Sequence, residues 1–158
     1  LDSQVFAKVY TERVRPMSGS RTLVATMRAH GAYTALVSGG FTEFTSRVRE
    51  ALGFHADHAN RLLQADGRLT GEVEEPIQGA DAKLAILRRL TAERGLAVAD
   101  TLAVGDGAND VPMIGAAGLG VAYHAKPVAA SAAKARIDHG DLTALLYLQG
   151  YRQRDFVT

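Results

Sequence analysis

Two short runs hold the residues best able to do chemistry. Gly105-Asp106-Gly107-Ala108-Asn109-Asp110 sets two carboxylates four residues apart in a glycine-rich turn, directly after the apolar run Thr101-Leu102-Ala103-Val104. Hard oxygen donors of this kind suit Mg²⁺, which takes few protein carboxylates and fills its shell with water and phosphate. The bland alternative has Asn109 or Asp110 capping the next helix and Asp106 as a solvated loop acid; so dense a run of special residues favours function. The second run is Val37-Ser38-Gly39-Gly40-Phe41. Its glycines let backbone approach a ligand, its serine hydroxyl can donate to a phosphate oxygen, and its amides precede a helix and suit an anion. Taken alone, a tight strand-to-helix turn capped by Ser38 explains that run better.

A third feature is Lys83, in the first turn of an expected helix, where positive charge opposes the helix dipole. An anion beside it would resolve the conflict. An exposed lysine costing a few tenths of a kcal/mol is the simpler account when Lys83 is taken by itself. His55, Asp57 and His58 have no partner ligand at convincing spacing and read as surface residues; Phe41, Phe44 and Met113 read as core.

These runs need a frame. Val5 to Val14 reads as a short helix, and a second runs to His30 from a cap at Ser18 or Ser20, with Gly31 as its stop. Ala32 to Val37 reads as a buried strand, followed by a helix over Thr42 to Leu52 closed by Gly53. Asp66-Gly67 between two leucine-bearing runs marks a hairpin across Asn60 to Val73. A helix over Asp81 to Arg94, a strand over Thr101 to Val104, a short helix from Val111 to Ala116 with Pro112 in its first turn, and a strand over Leu119 to Tyr123 come next. Lys126 to Ala135 reads as helix, Ile137 as a strand remnant and Asp141 to Leu148 as a last helix. Strand and helix alternate around one inserted hairpin. The pattern predicts an α/β fold, a parallel Rossmann-like sheet with helices on both faces, and ligands beyond the carboxyl ends of its strands.

Composition narrows the classes. The 158 residues suffice for one core, and a net charge of +1 offers no broad field for nucleic acid or membrane. The absence of cysteine removes disulfides, thiolate metal sites and a cysteine nucleophile, and fits a cytoplasmic protein. No apolar stretch approaches the roughly 18 residues of a membrane span. The start, Leu1-Asp2-Ser3-Gln4, has neither an initiator methionine nor a signal-peptide pattern and reads as cut.

At Val37-Ser38-Gly39-Gly40-Phe41-Thr42, Lys83 and Gly105-Asp106-Gly107-Ala108-Asn109-Asp110 the sequence resembles the second, third and fourth motifs of the haloacid-dehalogenase superfamily. The wording, with Ala59-Asn60-Arg61-Leu62 and Asp66-Gly67-Arg68-Leu69-Thr70-Gly71, is similar to its phosphoserine phosphatase branch, from about Val5 to Tyr151. The resemblance implies that Ser38 and Gly39 bind the transferring phosphoryl group and that Lys83 neutralises its charge. It further implies that Asp106 ligates Mg²⁺, Asn109 contacts substrate, and Asp110 supports the metal or Lys83. Catalysis would then rest on Lys83 and Asp110 here and on a nucleophile elsewhere. The implied reaction is hydrolysis of O-phosphoserine through an aspartyl-phosphate, a step of serine biosynthesis.

One departure stands out. The superfamily's first motif, Asp-x-Asp-x-Thr, supplies nucleophile and acid/base, and no Asp-x-Asp occurs in this sequence. The expectation is therefore a C-terminal part: residues 1–15 as the remnant of a helical cap, 16–158 as a core lacking its central strand, and a missing N-terminal segment as partner. The chain alone is expected to be inactive. Two other readings compete: a phosphatase for another small monoester such as phosphohomoserine, and a non-catalytic module binding phosphate or a protein partner.

Overall fold

The computed structural model describes residues 4–158. The start at Leu1-Asp2-Ser3, and the part of the expected 1–15 cap remnant that falls there, lie outside the described residues. The chain divides into two compact units, one formed by Leu1–Ile77 with Asp141–Thr158, the other by Gln78–Gly140.

The first unit contains α1 (Gln4–Arg13), α2 (Ser20–Ala29), β1 (Ala35–Phe41), α3 (Thr42–Leu52), β2 (Ala56–Asn60), β3 (Leu62–Ala65) and β4 (Arg68–Val73). β1 and β2 are parallel, with Leu36 opposite Asp57 and Val37 opposite His58. β3 and β4 form the expected hairpin, with Ala65 opposite Arg68 across a two-residue turn. Asp66 (φ 51°) and Gly67 (φ 72°) both take the left-handed backbone that such a turn requires.

α2 departs from the expected start. Gly19 (φ 81°) stands at its N-cap without a side-chain cap, and the Ser18 hydroxyl instead donates to the Asp141 carboxylate at 3.0 Å. A Cβ on Gly19 would lie 2.9 Å from Asp141 Cγ, so glycine is needed there for contact as well as conformation. At the other end of the segment, the Val157 amide donates to the fully buried Thr26 hydroxyl at 2.8 Å. α2 also serves its neighbour: Arg21 and Arg28 donate to the carbonyls of Ala51 and Gly53, which α3 leaves without helical partners at its C-terminus.

The second unit contains α4 (Ala80–Glu93), β5 (Leu102–Gly105), α5 (Val111–Ala116), β6 (Leu119–Tyr123), α6 (Pro127–Ala132) and β7 (Ala135–Ile137). Its three strands are parallel in the order β5-β6-β7, with Gly105 opposite Ala122 and Tyr123 opposite Ile137. Ile114, Val121 and Ala129 are wholly buried, and Leu87 of α4 packs on the cluster of Ala103, Met113 and Ala117. The expected helix over Lys126 to Ala135 is shorter, because Ala135 has joined β7. α7 (Ala144–Leu148) returns to the first unit, with Leu145 and Leu146 fully buried. The α/β architecture with parallel strands and one inserted hairpin agrees with the sequence expectation. No described helix is long and apolar enough to cross a membrane.

Candidate active site

β5 ends at Gly105, and the turn after it is built around one carboxylate. Asp110 is 5% exposed. Its Oδ2 accepts from the backbone amides of Asp106 at 3.0 Å and Gly107 at 3.2 Å, and its Oδ1 accepts from Lys83 Nζ at 2.6 Å. Burial works to raise the Asp110 pKa, but the Lys83 hydrogen bond, the two amides and the Lys83 charge outweigh it and hold the carboxyl below its ordinary value. Asp110 makes no side-chain cap on α5, but its carboxylate takes the Gly107 amide at the start of the 3-10 turn Ala108–Asp110 that leads into the helix, so the capping alternative holds in part and does not account for Lys83.

Gly105 makes the arrangement possible. A Cβ there would lie 2.5 Å from Asp110 Cγ and 2.6 Å from its Oδ2, so any side chain would displace the carboxylate. Lys83 is not the exposed lysine of the simpler account. It is 6% exposed, and the anion that offsets its unfavourable place in the first turn of α4 is Asp110.

Asp106 is the counterpart of Asp110. Both of its peptide groups are tied: its amide to Asp110, and its carbonyl to the Lys126 amide at 2.9 Å. The side chain is exposed, and among the described residues its carboxylate has no hydrogen-bond or ion-pair partner. Asn109 is exposed beside it. The two acids that sequence places four apart thus diverge: one is consumed in holding Lys83 and the turn, the other is left available on a fixed backbone. Among the described residues no group of three acidic or histidine side chains could cage a metal. The donors present fit a cation that keeps most of its water and takes one or two protein oxygens, as Mg²⁺ does.

In the first unit, Ser38 and Gly39 lie within β1, not after it, because the strand runs on to Phe41 and α3 begins at the next residue. Pairing with β2 breaks between Val37 and Phe41. The expected free amides are only partly free: the Gly40 amide donates to Ser38 Oγ at 3.0 Å. The Gly39 carbonyl accepts from Asn60 Nδ2 at 2.9 Å, and Asn60 is 6% exposed at the end of β2.

Sequence reasoning assigned Asn60 no role at this turn. It also misplaced Asp57, whose side chain is 6% exposed and not on the surface. Asp57 sits in β2, a strand the sequence reading left as loop, because Ala56-Asp57-His58-Ala59-Asn60 has no apolar run to announce it. His55 stacks on Tyr33 with ring centroids 4.9 Å apart, and its Nδ1 accepts from the Thr34 amide at 3.1 Å, which gives it a packing role. Of the residues expected in the core, Met113 is buried and Phe44 meets Phe6 edge-to-face at 5.5 Å.

Residues 3–115 match the family of haloacid dehalogenase-like hydrolases. The chain belongs to that family. Among curated haloacid dehalogenase-like relatives it is 44% identical over 155 residues to a phosphoserine phosphatase of Streptomyces coelicolor, covering 98% of this chain and 38% of the relative. It is 37% identical to a solved phospho-aspartyl intermediate analogue of phosphoserine phosphatase, with a TM-score of 0.85, over 94% of this chain and 70% of that one. A substrate-bound phosphoserine phosphatase complex gives 37% identity and a TM-score of 0.86 over the same shares. The chain spans less than two thirds of the length of the curated relatives it matches, from 34% to 66%.

Proposed function

We propose that this chain belongs to a Mg²⁺-dependent phosphomonoesterase that hydrolyses O-phosphoserine to serine and phosphate, a step of cytoplasmic serine biosynthesis. The observation that carries the reading is the division of labour after β5. Asp110 and Lys83 form a buried pair pinned by two backbone amides, while the Asp106 carboxylate is left uncommitted on a backbone tied at both peptide groups. A structural turn has no need of a buried lysine and an unpaired acid held side by side.

On this reading Asp106 holds Mg²⁺, which when bound supplies charge neutralisation at phosphoryl oxygens. Ser38 and Gly39 contact the phosphoryl group and Asn109 the substrate. Lys83 presents its remaining protons to the charge that develops on the transferring group, with Asp110 fixing its position before substrate arrives. Preset donors of this kind are worth most where charge develops in the transition state. The nucleophile is an aspartate outside this chain, since no Asp-x-Asp lies within it. The phospho-aspartyl analogue among the solved relatives supports that step. Among the described residues β1 and β5 each pair on one side only.

The test is phosphate release from O-phosphoserine with Mg²⁺, by this chain alone and by the longer protein containing it. Turnover is expected from the longer protein only, and to fall when O-phosphohomoserine replaces O-phosphoserine. Robust Mg²⁺-dependent turnover by the 158-residue chain would place the nucleophile among residues assigned other roles.

A further inference from the structure

The Ser38–Gly40 turn is held in an unusual way. Val37 pairs with His58 and Phe41 with Asn60, so three residues of β1 face one of β2, and the backbone ladder cannot position the turn. Its downstream end runs into α3 without a spacer, Phe41 being the last residue of β1 and Thr42 the first of the helix. Any shift of α3 is therefore handed directly to the turn.

What seats α3 on β2 is the Asp57 carboxylate. Asp57 Oδ2 accepts from the Thr45 hydroxyl at 2.7 Å and the Ser46 hydroxyl at 3.2 Å, and Oδ1 pairs with Arg49 at 3.3 Å. All three donors lie on α3. Thr45 is itself 6% exposed, whereas the Arg49 side chain is 36% exposed, so the hydroxyl contacts form the buried part of this junction and the ion pair its rim. A single acid that satisfies three donors of one helix, from a strand residue paired with Leu36 of β1, fixes the helix both along and about its axis.

We propose that Asp57 is a positioning residue for the anion-binding turn: it acts through Thr45 and α3 to set where Ser38, Gly39 and Gly40 present their donors. The proposal rests on the reading of Ser38 and Gly39 as phosphoryl-binding. The competing account is a buried polar network that only stabilises the unit.

The experiment uses the full-length protein that carries this chain, with variants Asp57→Asn, Thr45→Val, Thr45→Ser and Arg49→Met. KM for O-phosphoserine, kcat and the inhibition constant of inorganic phosphate are measured well below each variant's melting temperature. Asp57→Asn and Thr45→Val are expected to raise KM and the phosphate inhibition constant together by roughly tenfold, less than the roughly hundredfold that a misplacement of about 1 Å can cost. Thr45→Ser, which keeps the hydroxyl, restores both, and Arg49→Met stays within about twofold. If Asp57→Asn fails to fold, the Thr45 pair carries the test alone. Lowered melting temperatures with KM and phosphate inhibition unchanged would overturn the positioning role and leave the functional reading intact. A wild-type protein with no affinity for phosphate would overturn both.

Discussion

The pair between Lys83 and Asp110 can be tested by a double-mutant cycle on stability. Asp110→Ala strands a lysine whose side chain is 7% exposed and frees the amides of Asp106 and Gly107. Removing one partner of a buried pair costs about 3–5 kcal/mol. With melting shifts of about 2–4 °C per kcal/mol for a chain of this size, a cost near 4 kcal/mol lowers the melting temperature by about 8–16 °C. Lys83→Met is milder, because Asp110 keeps two amide donors; the loss is that of one charged hydrogen bond, about 1.5–3 kcal/mol. The double variant strands no lysine, so it falls short of the sum by about 2 kcal/mol or more. Urea unfolding at pH 7, followed by circular dichroism on all four proteins, reads the coupling. Additivity within about 0.5 kcal/mol would refute the pair as described.

Gly105→Ala should cost about 2 kcal/mol or more, because the new methyl occupies the place of the Asp110 carboxylate; faster hydrogen exchange at the Asp106 and Gly107 amides would locate the damage. Asp106→Asn should leave unfolding within about 0.5 kcal/mol of wild type while raising the Mg²⁺ concentration needed for half-maximal activity in the longer protein; an unchanged Mg²⁺ requirement removes Asp106 from the metal. The lowered Asp110 pKa predicts an acid-side loss. Its contribution is fully present above the unperturbed 3.8 and disappears as pH falls through the lower folded value. The urea midpoints of wild type and Asp110→Asn should therefore lie further apart at pH 7 than at pH 3.

Much of the frame could be read from sequence because it is written in local chemistry. Asp66-Gly67 dictates a two-residue turn whatever surrounds it, and α5 and β6 were placed at their observed ends because Pro112 and the apolar run at 119–123 mark them. β2 was missed for the opposite reason: three of its five side chains are polar, and those of Asp57 and Asn60 are buried where α3 supplies donors to the first and β1 a carbonyl to the second. Lys83 was flagged by its clash with the helix dipole, but its burial depends on Asp110, 27 residues away. The spacing of Asp106 and Asp110 suggested two acids sharing one task. The resemblance set Asp106 on the metal but left Asp110 between the metal and Lys83; the backbone path of the turn, which folds Asp110 back onto two amides, directs it to Lys83.

The Thr26–Val157 contact has a consequence for how the protein is made. The two residues lie 131 positions apart, and the segment between them includes the whole second unit. At about 5–20 residues per second, roughly 7–26 s separate the synthesis of Thr26 from that of its partner. Throughout that interval α2 carries a threonine hydroxyl whose native acceptor and donor do not yet exist, whereas the contiguous β5-β6-β7 sheet needs no residue later than Ile137. For these two units, order of synthesis and order of completion are therefore reversed: the one whose residues are made first is the later to close.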